Sequence, residues 1–177
     1  MVETERLRIV PLNARMLRAY IYGNRKLESE LNMLRPFRKM KYAVRCRAEY
    51  LILPRVSKSP GDHYLFHSFW LVIDKNTRLL VAELGFKGIP NKSGEVEIGY
   101  GTFFGFRRKG YMTEAVSGMI AWAGSRSDIR CILAEADEKN LASLRVLEKN
   151  GFRPIGQKGQ MTWWRKELST HSTGMPV

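Results

Sequence analysis

The sequence has little cysteine, little histidine, few acids and no long apolar run, and each shortage removes a class of protein. Cys46 and Cys131 stand far apart in 177 residues, with no CxxC pair. A structural zinc site loses support, and the pattern suits a reducing compartment with two buried thiols. His63 and His67 are four apart but lack the glutamate pattern of HExxH. Turn or surface roles account for them, and no metal is expected. No apolar stretch approaches the ~20 residues that span a bilayer. The opening MVETERLRIV has no apolar secretory run, which points to the cytoplasm and to no membrane partner. GxxxxGK[ST] and GxGxxG are also missing, so neither a P-loop nor a dinucleotide fold is supported.

Acids are scarce: 17 Asp and Glu stand against 30 Lys and Arg, a net charge of +13. Residues 1–60 hold 14 cations and 5 acids, a balance of +9, while the rest of the chain carries only +4. Arg35 to Arg47 contribute six cations and no acid. Such a surface suits an acidic partner: a nucleotide cofactor, an acidic peptide, RNA or a ribosome. A solvated helical face is the plain alternative.

Patterning predicts a strand over 5–12 ended by Pro11, then a helix capped by Asn13 and running to Tyr22. A second helix is expected over 26–34 with Pro36 as its stop, and a third over 42–53 ended by Pro54. Residues 57–62, SKSPGD, read as a loop. Strands follow over 68–74, 78–88 and 95–103, the first two as a hairpin. Met112, Ala115, Val116, Met119, Ile120 and Ala123 fall at helical spacing, with Gly124 able to end the helix. IRCILAEAD, 129–137, is apolar enough for a strand covered on both faces. A helix from Asn140 to Asn150, with Gly151 behind it, precedes two last strands, FRPIG and MTWWRKEL. The order predicts one α+β domain over 1–168 and a flexible tail over 169–177.

One segment asks for a ligand. RRKGYMTEAV, residues 107–116, puts three cations and a glycine directly before a helix-forming run. A helix N-terminus leaves N–H groups unpartnered and carries about half a positive charge. A glycine there admits close approach. Phosphate or pyrophosphate is the natural occupant; a basic turn without a ligand is the alternative.

The same segment resembles the acyl-CoA loop of the GNAT N-acetyltransferases, Q/R-x-x-G-x-G/A. Arg107, Arg108, Lys109, Gly110, Tyr111 and Met112 fill it in order, with Met112 departing from the small last residue. EIGYGTF before the loop resembles the family's fourth strand, and NLASLRVLEKNGF resembles its late helix. The combination is most similar to the branch that includes the ribosomal-protein N-terminal acetyltransferases. The resemblance is strong over 68–156 and loose over 1–60. It implies a mixed, mostly antiparallel, V-splayed sheet of six to seven strands with helices on both faces, and acetyl-CoA as cosubstrate in the cleft. The amides of residues 108 to 113, ending at Thr113, would grip the pyrophosphate, with Arg107 and Arg108 near enough to assist. The backbone around Phe103 and Phe104 would pair with the pantetheine amides and polarise the thioester carbonyl.

Direct acetyl transfer needs a neutral amine, a stabilised oxyanion and a leaving thiolate, for which a thiol pKa of ~8.5 makes an acid optional. Glu97 and Glu135 are the candidate bases, and either needs partial desolvation to raise its pKa. Pairing with one of the many cations is the plain reading of each. Glu97 is preferred as base, with Glu135 holding or attracting the amine. Asn140 and Ser143 are one helical turn apart. By resemblance, Asn140 would bond to the pantetheine arm and Ser143 would sit near the sulfur; Asn140 also suits an N-cap. Relatives carry a tyrosine acid seven residues after that asparagine. Leu147 stands there in this chain, so Ser143, a water or no group protonates the thiolate, with Tyr111 a weaker candidate.

The expected acceptor is a protein α-amino group, such as that of a ribosomal protein, because the basic first third would meet surrounding RNA. A small-molecule amine is the second choice. A non-catalytic acetyl-CoA sensor, or an RNA-binding module using Trp70, Trp122, Trp163 and Trp164, is the rival of another kind. No RNP-like sequence appears, so direct nucleic-acid binding is not expected. Monomer and homodimer are both allowed.

Overall fold

Strands with alternating burial, as over 82–86 and 95–99, join a fully buried one, Trp70–Asp74, in one continuous eight-stranded sheet, and the computed structural model describes the chain over residues 1–34 and 42–168. The strands are β1 (Val2–Glu3), β2 (Leu7–Pro11), β3 (Trp70–Asp74), β4 (Leu80–Phe86), β5 (Glu95–Thr102), β6 (Cys131–Asp137), β7 (Arg153–Lys158) and β8 (Met161–Glu167). Their order is β1-β2-β3-β4-β5-β6-β8-β7, and only β5 and β6 run parallel. The mixed, mostly antiparallel α+β architecture agrees with expectation. The strand count exceeds six to seven because the two-residue β1 adds an edge beside β2.

Helices cover both faces. On one lie α1 (Ala14–Tyr22), α2 (Lys26–Glu30) and α4 (Leu53–Lys58), with α3 (Tyr42–Arg47) preceding the last and burying no residue; on the other lie α5 (Tyr111–Gly124) and α6 (Leu141–Lys149). Asn13 caps α1 by accepting from the Met16 amide at 2.9 Å, and Gly23 ends it at φ +67°. Leu17, Tyr20 and Ile21 of α1 pack with Leu53 and Val56 of α4 over Leu71 and Ile73 of β3. Across the sheet, Met112, Ala115, Val116, Met119 and Ala123 bury the predicted stripe of α5. Gly118 is buried too: a Cβ there would lie 2.7 Å from Thr4 Cγ2, so β1 and its turn cover a second face of the helix.

Three expectations change. The second helix stops at Glu30 because Asn32 takes a left-handed turn (φ +49°) and Leu34 bonds back to the Arg78 carbonyl at 2.8 Å; its proposed stop, Pro36, lies outside the described residues. Pro54 does not end the third helix. A π-helical turn, Ala48–Ile52, precedes it, and Pro54 falls in the first turn of α4, where a missing N–H costs nothing. Cys131 is buried, but Cys46 on the outer helices is only half-buried. The expected tail, 169–177, and residues 35–41 of the Arg35–Arg47 cluster also lie outside the described residues.

The tryptophans serve packing. Trp122 meets Trp70 edge-on at 5.2 Å and stacks on Phe86 at 5.6 Å, with Phe66 at 5.8 Å. Trp164 is buried in the same core, and Trp163 alternates outward. Each aromatic pair adds about 0.5–1.5 kcal/mol beyond its area. Trp70, Trp122 and Trp164 are engaged in the core in this way; Trp163 is not. No helix among the described residues is long and apolar enough to cross a membrane, and none of them cluster as three or more metal-ligating side chains.

Candidate functional site

The site begins where the sheet opens. The parallel pairing of β5 with β6 runs from Glu95↔Cys131 to Ile98↔Ala134 and stops, although both strands continue. Phe103 donates its N–H to the Val81 carbonyl at 3.1 Å, and Lys87 donates to the Glu97 carbonyl at 2.9 Å. Odd-numbered residues of β5 therefore bond toward β4. Tyr100 and Thr102, alternating with them, turn their amides and carbonyls into the gap. The free backbone edge thus lies slightly before Phe103 and Phe104. Phe103 is already engaged with β4, and Phe104 is an exposed residue of a 3-10 turn.

The cationic loop closes one end of this gap. Arg108 and Gly110 both have positive φ, +62° and +79°, the kind of curl that turns successive N–H groups toward one point. Gly110 occupies the N-cap of α5 and no side chain among the described residues caps that helix, so its first-turn amides have no capping acceptor. Met112 turns inward and is 5% exposed. Arg107 lies over the Phe104 ring at 5.4 Å, and Lys109 over Phe106 at 5.7 Å. The rings hold the cations at the surface of the loop.

A clamp from the turn between β1 and β2 fixes the loop from behind. Glu114 accepts from the Thr4 hydroxyl at 2.6 Å, the Arg6 amide at 2.8 Å and Arg6 Nε at 2.6 Å. Arg6 also donates to the Lys109 carbonyl at 3.2 Å and lies over the Tyr111 ring at 5.2 Å. Burial pushes the Glu114 carboxyl up, but Thr4 and Arg6 together outweigh it and hold the carboxyl below its ordinary range. Burial and the neighbouring Asp74 carboxylate at the end of β3 raise the Tyr111 pKa.

On the far wall, Asn140 caps α6, accepting from the Ser143 amide at 3.2 Å. Ser143 Oγ lies 3.0 Å from Tyr100 Oη, a hydroxyl pair that bridges β5 and α6. Burial raises the Tyr100 pKa, and the Ser143 contact offsets this only in part. The phenol therefore remains a proton-bearing donor at neutral pH. Leu147 is fully buried in the core.

Comparison with known proteins fits this geometry. The family described as an acetyltransferase (GNAT) domain matches residues 6–153. The chain belongs to the GNAT acetyltransferase family. The uncharacterized N-acetyltransferase YjdG of Bacillus subtilis (strain 168) is 41% identical over 83 residues, which cover 47% of this chain and 49% of that protein. The chain thus spans about half the length of the curated relatives it matches. The ribosomal-protein-S5-alanine acetyltransferase of Vibrio fischeri superposes with a TM-score of 0.64 at 20% identity, covering 94% of this chain and 96% of that one. The spermidine N-acetyltransferase of Vibrio cholerae, solved with CoA and spermine, gives 0.66 at 14% identity, covering 94% and 98%. At such identities these two likenesses speak to the fold.

The other face of this GNAT sheet carries carboxylates around a floor of three glycines, closed at Gly85, where a Cβ would lie 2.6 Å from the Ser68 carbonyl oxygen, and open at Gly101. Gly85, Gly99 and Gly101 occupy the positions where β4 and β5 would present side chains. Around Gly101 nothing lies within 4 Å of where a Cβ would be. Glu97 and Glu135 flank this floor, and Lys87 bonds Glu97 and lies 3.9 Å from Glu135. The structure thus brings both candidate bases to one ammonium. Glu83, across from Gly101, accepts from the Tyr20 hydroxyl at 2.9 Å.

Sequence reasoning missed Tyr100, Arg6, Glu114, Lys87 and Glu83 as site residues. A hydroxyl on the apolar side of β5 was a readable signal for Tyr100. Nothing local joins Arg6 to Glu114 across 108 positions.

Proposed function

We propose that this GNAT chain transfers the acetyl group of acetyl-CoA directly to an amine. The observation that carries this is the uncapped N-terminus of α5, with Gly110 at φ +79°, opening onto the gap where β5 and β6 part. In this reading the amides of Arg108 to Thr113 hold the pyrophosphate. The pantetheine arm lies along the free edge at Tyr100 and Thr102, with Asn140 beside it. A groove of about 590 Å³ runs from Gly110 along α5 to Lys149 and has room for the nucleotide end. A gap-facing amide of β5 polarises the thioester carbonyl.

Glu97 takes the proton from the attacking amine, directly or through water, while Glu135 shares the charge of Lys87 with it. The nitrogen attacks the acetyl carbon, and the tetrahedral oxyanion collapses with release of the CoA thiolate. Ser143 passes a proton to the sulfur while taking one from the Tyr100 phenol 3.0 Å away, and solvent reprotonates the phenolate as Glu97 releases the amine's proton to water.

The acceptor we favour is a protein N-terminal amine, such as that of a ribosomal protein. The +9 balance of residues 1–60 supports this, since it draws a phosphate-rich assembly. The carboxylates around the glycine floor favour a second reading, a small cationic amine. Thiol release from acetyl-CoA, measured with alanine- and serine-starting peptides and with spermidine, tests both. Faster turnover of peptides supports the first; faster turnover of spermidine supports the second. Tight CoA binding with no turnover on a broad amine panel would mark a sensor instead.

A further inference from the structure

We propose that Glu83, oriented by Tyr20 over the glycine floor, is the residue that receives the acceptor's ammonium. This rests on the reading that an amine is acetylated at this cleft.

Three carboxylates look onto the floor, and the described residues supply one cation. Lys87 bonds Glu97 and lies 3.9 Å from Glu135, so those two already share a positive partner. Glu83 makes no ion pair among the described residues. In a chain with 30 Lys and Arg, a partly buried carboxylate without a cation is unusual. Burial raises its affinity for a proton, and the Tyr20 hydroxyl only partly offsets this. Desolvation with no cation beside it among the described residues leaves the carboxylate suited to a cation that comes and goes.

The surroundings fit such a visitor. Glu83 pairs with Gly101 on β5 and with Leu71 on β3, so its side chain rises from the face that α1 covers. Tyr20 reaches down from α1, edge-on to Phe69 at a centroid distance of 6.2 Å. The hydrogen bond fixes one carboxylate oxygen, and the other remains for a ligand. Beside it, the missing side chain of Gly101 leaves open space next to the free edge of β5. An ammonium bound to Glu83 therefore lies one strand away from the gap assigned to the thioester. Glu97, on the same face of β5, remains the proton acceptor. The two carboxylates divide binding from chemistry.

The test has a kinetic arm and a binding arm. With saturating acetyl-CoA, Glu83→Gln should raise the acceptor KM about tenfold or more, as expected when a charged hydrogen-bond partner is neutralised. Its kcat and its CoA affinity should stay within a few-fold of the parent. Tyr20→Phe keeps the carboxylate but frees its orientation, and should raise KM by less. Glu97→Gln should show the opposite split, a lower kcat with KM little changed. The binding arm uses the parent protein saturated with CoA and labelled with ¹³C in the glutamate carboxyls. Methylammonium, an alanine-starting hexapeptide amide and spermidine are titrated in. A saturable shift of the Glu83 resonance with any of them supports the proposal. An unmoved Glu83 resonance with all three, or an unchanged acceptor KM in Glu83→Gln, overturns it. A parent protein that neither binds CoA nor releases thiol defeats the acetyl-transfer reading instead, and the same titration run without CoA still decides whether Glu83 holds an amine.

Discussion

The two faces of the β5 strand follow opposite plans. On the α5 side, side chains crowd in: Val96, Ile98 and Tyr100 meet two helices, and the loop ahead of α5 is held by Arg6, Thr4 and Glu114. On the other side, glycines keep Gly99 and Gly101 bare while Glu83, Glu97 and Glu135 stand around them. A polyanionic cofactor of fixed shape calls for rigid, preorganised amides. An acceptor calls for space and for charge of the opposite sign to its ammonium. In the proposed reading one strand meets both demands, because side chains alternate across it.

This contrast can be broken from either side. The largest effect belongs to the cofactor side. Gly110→Trp puts a bulky side chain at φ +79°, with Arg6 Nη2 only 3.3 Å from the new Cβ. CoA affinity in calorimetry should fall roughly 100-fold or more, about 3 kcal/mol, with near-parent far-UV circular dichroism. Next comes the acceptor side. Glu97→Gln should lower the turnover rate about 10- to 100-fold at neutral pH, within the usual range for general base catalysis. The deficit should shrink at high pH, where solvent deprotonates the amine; an unaltered pH–rate profile would remove Glu97 as base.

The third prediction sharpens the contrast through stability. Glu114→Gln removes a charged acceptor of three hydrogen bonds and should cost about 1.5–3 kcal/mol near neutral pH, read by urea unfolding. The folded-state pKa of Glu114 is depressed, so its contribution is present above the unfolded carboxylate value of about 4.3. That contribution is lost as pH falls through the lower folded value. The gap between parent and variant should therefore close in acid; a gap independent of pH would contradict the clamp. The smallest effect is expected for Tyr100→Phe, which leaves Ser143 without its phenol partner. Turnover should fall only a few-fold, with the larger loss for poorly activated thioesters, because a thiolate of pKa ~8.5 leaves without much help.

The same contrast explains what the sequence could disclose. The loop from Arg107 to Thr113 is local: seven consecutive residues state both the glycine turn and the helix that follows. The Asn13 and Asn140 caps and the buried stripe of α5 were legible for the same reason. Pro54 misled because a π-helical turn, which has no sequence signature of its own, carries the helix past it. The acceptor side is assembled from β4, β5, β6 and α1, so its residues meet only through register. Glu97 and Glu135 could be named from their strands, but not the lysine that joins them. Glu83 was unreadable because its meaning depends on Tyr20, 63 residues earlier, and on the absence of a side chain at Gly101.

The most direct measurement is calorimetric titration of coenzyme A into the purified chain, alongside Gly110→Trp. The account predicts saturable one-site binding, tightening at low salt because the phosphates meet a cationic loop, and its loss in the variant. Absence of measurable affinity for any coenzyme A species, or equal affinity in the two proteins, would contradict it.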